Sequence, residues 1–214
     1  QRNKAIKNAK LSQDPEDINN NTGVFQVSVR RQNDCMVSGG YILVGDSAWM
    51  PKPIDAGGIG PALIAGTILG KNVVDAIEAN DVTEKGLWQY HLDFIKEYGY
   101  KTAGLELFRR LVQTLTNEQI SYGMKHFLGN VDVEAISKGE HPDFSGLSKL
   151  GMIIRGAMNK TVANGLKYTS QQNQWLVEHY GNYPKEPEGF EEWEKSLHKT
   201  LDESFAKIAT FSKN

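Results

Sequence analysis

Apolar and polar positions follow the period of a strand near the start of the chain and the period of a helix from Gly58 onward. The segment "VFQVSVR" over residues 24–30 alternates between the two types, which predicts a half-buried strand. The run "YILVG" over residues 41–45 is continuously apolar, which is typical of a strand covered on both faces. We therefore expect a short β segment over about residues 24–45, with its strands paired as a hairpin or as neighbours.

The rest of the sequence predicts helices. Apolar residues from Ile59 to Ile77 recur at helical spacing, which predicts a helix over 58–79, and the glycines at 60, 66 and 70 indicate a close backbone approach there. Capping-box patterns begin at Asp81, with Glu84, and at Thr116, with Gln119. Further helices are expected over residues 81–101, 102–115, 116–128, 131–139, 144–181 and 191–211, with loops over 1–22 and 184–190.

Composition narrows the class of protein. The chain has 214 residues, a net charge of −2 and no basic patch, which disfavours nucleic acid as a partner. Its single cysteine, Cys35, excludes an internal disulfide and a cysteine-based zinc site, and fits a reducing, cytoplasmic setting. The five histidines show no metal-binding spacing, so no metal is expected. We see no signal peptide and no apolar run long enough for a bilayer.

The stretch "YILVGDSAWMPKPIDAGGIGPALIAG" combines features that suit a bound molecule. Asp46 follows a predicted strand, where a carboxylate can accept hydrogen bonds from the hydroxyls of a ligand. Gly57 and Gly58 open a helix, whose unpaired N–H groups carry partial positive charge and would suit a phosphate or the pyrimidine edge of a reduced flavin. A simple turn explains a lone Gly-Asp equally well, but the ordered series Gly45, Asp46, Pro53, Gly57, Gly58 and Gly66 is far more specific.

This stretch resembles the second FAD-binding motif of the geranylgeranyl reductase family, within the glutathione-reductase-type flavoproteins. The "GDSA", Pro53 and "AGGI" of this chain stand at the motif's spacing, and "VSVRRQNDCMVSGGYILVGD" resembles the segment that leads into it. The resemblance implies that Asp46 holds the ribityl chain of FAD and that Pro53 lines the flavin ring. It implies that Gly57, Gly58 and Ile59 offer backbone N–H groups to the pyrimidine end of the ring.

Some parts of that family pattern differ or are absent. Ser47 replaces an alanine, Ala56 replaces the first glycine and Pro51 is additional, while Trp49 is a large side chain beside the site. We find neither the Gly-x-Gly-x-x-Gly βαβ unit nor the family's Tyr-x-Trp-x-Phe-Pro motif. The chain also begins without a methionine. We therefore expect a C-terminal fragment of an α/β flavoprotein with an incomplete FAD-binding fold, in which residues 1–80 end the FAD domain and 81–214 form a helical region.

The implied activity is the FAD-dependent hydrogenation of C=C bonds in the geranylgeranyl chains of archaeal membrane lipids. The implied partners are the prenyl lipid, the missing N-terminal half and a reduced donor, either ferredoxin or NAD(P)H. The catalytic acid is left unassigned. One alternative is an electron-transfer flavoprotein dehydrogenase coupled to quinone, although one cysteine cannot hold an iron–sulfur cluster. Another is that the helical region docks onto a partner or onto the membrane surface as a peripheral contact.

Three further groups have two interpretations each. Cys35 is either a thiol near the flavin or a small buried hydrophobe, and the second is favoured. Arg30 and Arg31 either face a phosphate or the flavin or belong to a solvated or salt-bridged surface, and the second is again favoured. The tyrosines at 90, 98, 100 and 122 could line a lipid cavity, whereas the apolar stripe formed by Trp88, Leu92, Phe94 and Ile95 is assigned to the core.

Overall fold

The computed structural model describes residues 26–127, 134, 138 and 159–213. The expected loop over 1–22 and most of the predicted helix over 131–139 lie outside these residues, as does the first part of the helix predicted from residue 144. The described chain is mostly helical and contains a short two-stranded sheet, which confirms the coarse prediction of a small β segment followed by helices.

The sheet differs from the prediction in position and size. Strand β1 is Val37–Ser38 and pairs antiparallel with β2, Tyr41–Ile42, across a turn of two glycines. Residues 26–30 form no strand, so the prediction for 24–30 was wrong over the part that the structure describes. The expectation that "YILVG" is covered on both faces was also wrong, because Tyr41 is 58% exposed. Both predictions relied only on the pattern of apolar and polar residues along the sequence. That pattern cannot show whether a strand has a pairing partner or a covering layer.

The long helix that follows the glycines is confirmed. Helix α1 spans Ile59–Glu78 and buries Ala65 and Ala76 on its inner side. Its glycines at 60, 66 and 70 have no described neighbour within 4 Å of an added Cβ atom, so the structure shows no close backbone approach to them. The outer side of the same helix is apolar and exposed, with Ile59 at 81% and Leu63 at 68%.

The chain then runs through three helices and one π-helical turn, which follow one another almost without a break. Helix α2 is Glu84–Leu87, α3 is Gln89–Phe94, and a π-helical turn, Ile95–Gly99, leads into α4, Tyr100–Thr114. The predicted cap at Asp81 is corrected to Thr83, whose side chain accepts a hydrogen bond from the Gly86 N–H. Asp81 instead accepts hydrogen bonds from the backbone N–H and the hydroxyl of Thr83.

The last three helices complete the bundle. Helix α5 is Asn117–His126, and both hydrogen bonds of its predicted capping box at Thr116 and Gln119 are present. Helix α6, Lys160–Gly181, packs along α4, where an added Cβ on Gly165 would lie 2.5 Å from Leu111 Cδ1. Helix α7, Phe190–Ala209, packs against α4 and α6. Its predicted apolar face is confirmed, since Trp193, Leu197, Leu201 and Ile208 are buried and Phe205 and Phe211 pack beside them.

A buried charge network ties the segment before the sheet to these helices. The Arg31 guanidinium donates to both carboxylate oxygens of Asp34, at 3.1 and 2.7 Å, and lies 3.4 Å from Glu106 of α4. Burial acts to lower the pKa of Arg31, but the charges of Asp34, Tyr180 and Glu106 and the hydrogen bond to Asp34 together outweigh it, so the pKa is raised and the charge is kept. Arg31 is thus salt-bridged, as favoured, but it is buried rather than at the surface. Among the helices of the described ranges, none is long and apolar enough to cross a bilayer.

Candidate functional site

The Gly-Asp motif forms a tight turn directly after the sheet. Residues Gly45–Ala48 make one turn of 3-10 helix, and Gly45 has a φ of +67°, a conformation that glycine adopts without steric cost. Ala48 and Met50 are fully buried beneath this turn, which anchors it to the core. The side chain of Asp46 is left exposed on the outer side, where a ligand can reach it.

The bend between this turn and α1 is held by its own polar contacts. Lys52 Nζ lies 2.8 Å from an Asp55 carboxylate oxygen, and the other oxygen of Asp55 accepts a hydrogen bond of 2.9 Å from the Gly57 N–H. The Lys52 side chain provides the hydrogen bond that, with the Gly57 N–H, holds the pKa of Asp55 below its ordinary value despite partial burial. Ala56 has a φ of +59°, which explains why the family pattern has a glycine at this position.

Asp46 and Gly58 meet where the turn and the bend come together. A Cβ atom added to Gly58 would lie 3.4 Å from Asp46 Oδ1 and 3.3 Å from Pro51 Cγ. Gly58 is the N-cap of α1, and no described side chain caps it. The first N–H groups of α1 thus remain available for an acceptor, and they carry the partial positive charge of the helix start.

The cavity at this helix start measures about 510 Å³, which is large enough for part of a cofactor. Gly57, Gly58 and Ile59 line the cavity at the helix start, together with Lys52, Lys138 and Tyr98. Lys138 lies 2.7 Å from Glu134, so both lysines have carboxylate partners. The cavity combines backbone donors and positive charge, which suits an electron-rich group.

Tyr98 is the feature of this cavity that sequence reasoning assigned to another role. Its side chain is 4% exposed, and its hydroxyl has no hydrogen-bond partner among the described residues. Buried hydroxyls are nearly always bonded, so the orphaned hydroxyl of a residue that lines a cavity is a candidate donor to a ligand. The sequence offered Tyr98 only as one of four tyrosines for a lipid cavity, and no local pattern could have singled out its unpaired hydroxyl.

The residues predicted for FAD are brought together in part. Gly57, Gly58 and Ile59 line the cavity, Asp46 lies beside Gly58, and Gly45 shapes the turn. Pro53 is buried in the bend, and it is absent from the described lining of the cavity. The orphaned Tyr98 hydroxyl, the uncapped helix start and the bare Cα atoms of the glycines fit the acceptor-rich edge of a flavin ring. The Gly57 N–H is already bonded to Asp55, which must let go before a ligand can use it.

A second cavity, of about 260 Å³, lies between α4, α5 and α6. Its described lining is entirely apolar and consists of Ile54, Phe108, Leu111, Val112, Leu115, Ile120, Gly123, Met124, Val162 and Leu166. Ile54 belongs to the same bend as Pro53 and Gly57, so this cavity adjoins the candidate site. A cavity lined in this way suits an aliphatic chain and offers a water molecule no hydrogen-bond partner.

Other candidate residues have structural roles. Cys35 is half-buried, and its thiol donates to the Val37 carbonyl at 3.3 Å, while burial raises its pKa. Arg30 stacks on Trp49, with its guanidinium carbon 4.2 Å from the ring centroid. Asp34 and His198 form a 2.8 Å pair, and with Glu194 they are spaced closely enough for a metal ion. Because the Asp34 carboxylate is already bonded to Arg31, a cation would have to compete with that guanidinium.

The sequence is similar to several proteins named digeranylgeranylglycerophospholipid reductase. The protein of that name from Sulfolobus acidocaldarius is 33% identical over 179 residues, which cover 83% of this chain and 39% of the relative. One from Methanopyrus kandleri is 28% identical, covering 47% of this chain and 25% of its own length. One from Methanocella arvoryzae is 29% identical, with the same two coverages of 47% and 25%. No protein-family model matches the chain.

The fold and the site define a mostly helical segment that carries a glycine-rich bend at the start of a long helix. The chain is thus similar to members of the geranylgeranyl reductase family, which confirms the resemblance expected from its sequence. It spans 39% of the length of the Sulfolobus relative.

Proposed function

We propose that the whole protein is an FAD-dependent reductase that hydrogenates C=C bonds in the geranylgeranyl chains of archaeal membrane lipids. The observation that carries this proposal is the similarity to reductases named for a digeranylgeranyl phospholipid, which covers 83% of the chain and includes the glycine-rich bend. The cavity at the start of α1 supports the cofactor, since it combines uncapped backbone donors with an unpaired phenol. FAD, when bound and reduced, supplies the hydride.

Each residue of the bend has a role in this proposal. Asp46 accepts hydrogen bonds from the ribityl hydroxyls, because its carboxylate is exposed beside the helix start. Gly58 and Ile59 donate backbone N–H groups to the pyrimidine edge, and Gly57 joins them once Asp55 releases its N–H. Pro53, which is buried, stiffens the backbone that carries the glycines next to the ring. Together these groups stabilise the negative charge of a reduced ring.

The apolar cavity supports a long aliphatic substrate. Its described lining contains no charged or hydrogen-bonding side chain, and Ile54 places it next to the bend. An unactivated double bond reacts only if it is held over the reduced ring in a site that excludes water. We propose that the α4, α5 and α6 helices hold part of the prenyl chain while the bend holds the ring.

The exposed side of α1 supports a further part of the proposal. Ile59, Leu63, Val74 and Ile77 are all more than half exposed and recur at helical spacing, with Gly66 and Gly70 between them. Contiguous apolar surface of this kind normally marks an interface. We propose that the missing N-terminal half of the protein covers this face and completes the FAD-binding fold, and that a boundary near residue 80 separates that fold from the helical region.

The experiment is a test of the substrate. The whole protein, expressed from the parent gene and loaded with FAD, is incubated with a digeranylgeranyl lipid and a chemical reductant. Mass spectrometry of the lipid should show the addition of hydrogen pairs. Parallel reactions with reduced ferredoxin or NADPH identify the donor, and co-sedimentation with liposomes tests the proposed cytoplasmic, peripheral location. An unchanged lipid mass in the presence of reduced, protein-bound flavin would overturn the substrate assignment.

A further inference from the structure

The position of Tyr98 is fixed by an irregularity in a long helical run. Tyr98 lies in the π-helical turn Ile95–Gly99 between α3 and α4. Such turns insert an extra residue, rotate the side chains that follow, and occur frequently at functional sites. Gly99 packs so closely that an added Cβ would lie 2.9 Å from Gln32 Nε2, and Gln32 is in turn bonded to Thr102. The turn is therefore locked, and the Tyr98 ring has little freedom to seek another partner.

Tyr98 lies beside the bend that carries the glycines. Tyr98 shares the lining of one cavity with Lys52, Gly57 and Gly58. Burial first, and the negative charge of Asp55 second, raise the pKa of Tyr98, so its phenol keeps its proton and remains a donor. A donor that is buried, protonated and unpaired is costly unless a ligand accepts its hydrogen bond.

Asp55 occupies one of the backbone donors that an acceptor in this cavity would use. Its carboxylate accepts from the Gly57 N–H at 2.9 Å, and its charge acts on Tyr98. The Asp55 side chain is 46% exposed and that of Lys52 is 13% exposed, so the carboxylate can turn toward water when the pair opens. Asp55 thus holds the Gly57 N–H, which an electron-rich ligand would use once the carboxylate has moved away.

We propose that the Tyr98 hydroxyl donates a hydrogen bond to an acceptor atom of the flavin ring once the Lys52–Asp55 pair has opened. The inference rests on the proposed function, because it takes the ligand of this cavity to be FAD. Tyr98 is then a binding residue contributed by the helical region to a site built mainly by the bend. The helical region would therefore take part in holding the cofactor, in addition to any contact with the substrate.

The test compares Tyr98→Phe with Tyr100→Phe. Tyr100 is a matched control, because Lys101 Nζ lies 5.8 Å from its ring and 6.0 Å from that of Tyr98, while Tyr100 lies outside the described lining of the cavity. In the whole protein, Tyr98→Phe should raise the Kd of FAD about three- to tenfold and shift the flavin midpoint potential. Tyr100→Phe should leave both unchanged. Asp55→Ala, which removes the competing acceptor, should lower the Kd.

A second readout separates ligand binding from a purely structural role. In this 214-residue chain without FAD, Tyr98→Phe should leave the thermal midpoint unchanged or raise it, because the hydroxyl has no partner to lose. A lowered midpoint would show that the hydroxyl is bonded within the chain and would overturn the inference. If Tyr98→Phe left FAD binding unchanged, the inference on Tyr98 would be overturned and the proposed function would stand. A whole protein that binds no FAD would overturn the proposed function along with it.

Discussion

The carboxylate of Asp46 lies directly beside the backbone of Gly58, 3.4 Å from the position that a Cβ atom would occupy. The two residues are twelve positions apart, and the bend folds them together at the start of α1. This contact joins a group that accepts hydrogen bonds to a helix end that donates them. A ligand that bridges the two must present hydroxyls on one part and acceptors on another, as FAD does.

Substitution of Gly58 tests that contact. Gly58→Ala places a methyl group 3.3 Å from Pro51 Cγ and 3.4 Å from Asp46 Oδ1, so the carboxylate must shift. We expect FAD affinity of the whole protein to fall about tenfold, while stability changes by less than about 1 kcal/mol. Fluorescence titration with FAD measures the affinity. Gly181→Ala, where an added Cβ meets nothing within 4 Å, is the control and should bind FAD normally.

Ala56→Gly should stabilise the chain. Ala56 has a φ of +59°, and the steric strain of a Cβ atom in this conformation exceeds the entropy that glycine costs in the unfolded chain. We expect a gain of about 0.5–1 kcal/mol in the free energy of unfolding, measured by urea denaturation. Ala79→Gly is the matched control, since its φ of −75° suits alanine, and it should lose stability. A loss at Ala56 as well would argue against the left-handed conformation.

Arg31→Met should be strongly destabilising. The substitution leaves the buried carboxylates of Asp34 and Glu106 without their shared cation, and such losses cost about 3–5 kcal/mol. Lys195→Ala, which breaks an exposed pair with Glu191 on α7, should leave the urea midpoint unchanged. If the two variants unfold at the same urea concentration, the buried charge network around Arg31 does not stabilise the fold as we describe.

His91 should make the chain sensitive to acid. It is fully buried, its Nε2 accepts the Met36 N–H at 3.0 Å, and burial lowers its pKa from 6.5 to about 3. Between these two values the unfolded chain binds the proton and the folded chain does not, so stability falls as the pH falls, by up to a few kcal/mol. His91→Gln keeps an acceptor without the titration, so its unfolding free energy should depend less on pH over this window. An identical slope in both chains would contradict this account.

The sequence predicted the parts of the fold that depend on local signals. The glycines before an apolar helix located α1, and Thr116 with Gln119 located the start of α5. The sequence also marked Ala56 as a departure from the family pattern. The positive φ at this position accounts for the glycine of that pattern. The misplaced strand at 24–30 shows the limit of alternation, since strand pairing depends on a partner that period does not reveal.

Long-range contacts were beyond sequence reasoning for a physical reason. Arg31 meets Glu106 across 75 positions, and Asp34 meets His198 across 164 positions. No periodic pattern connects residues so far apart, because the tertiary packing alone brings them together. Tyr98 is a further example of an effect of tertiary packing. Its hydroxyl has no partner among the described residues, and only the folded position of the π-helical turn shows this. The residues predicted for the bend came from one contiguous motif, whereas Tyr98, for which the sequence offered another role, comes from a separate helical segment.

The most direct test of the central claim is the visible absorption spectrum of the purified whole protein beside that of this chain. The claim is that the bend at residues 45–59 forms one wall of a flavin site. We predict flavin bands in the whole protein, their weakening in its Gly58→Ala variant, and their absence from this chain alone. A whole protein that stays colourless after incubation with FAD would contradict the claim. The bend would then be only a turn followed by the start of a helix.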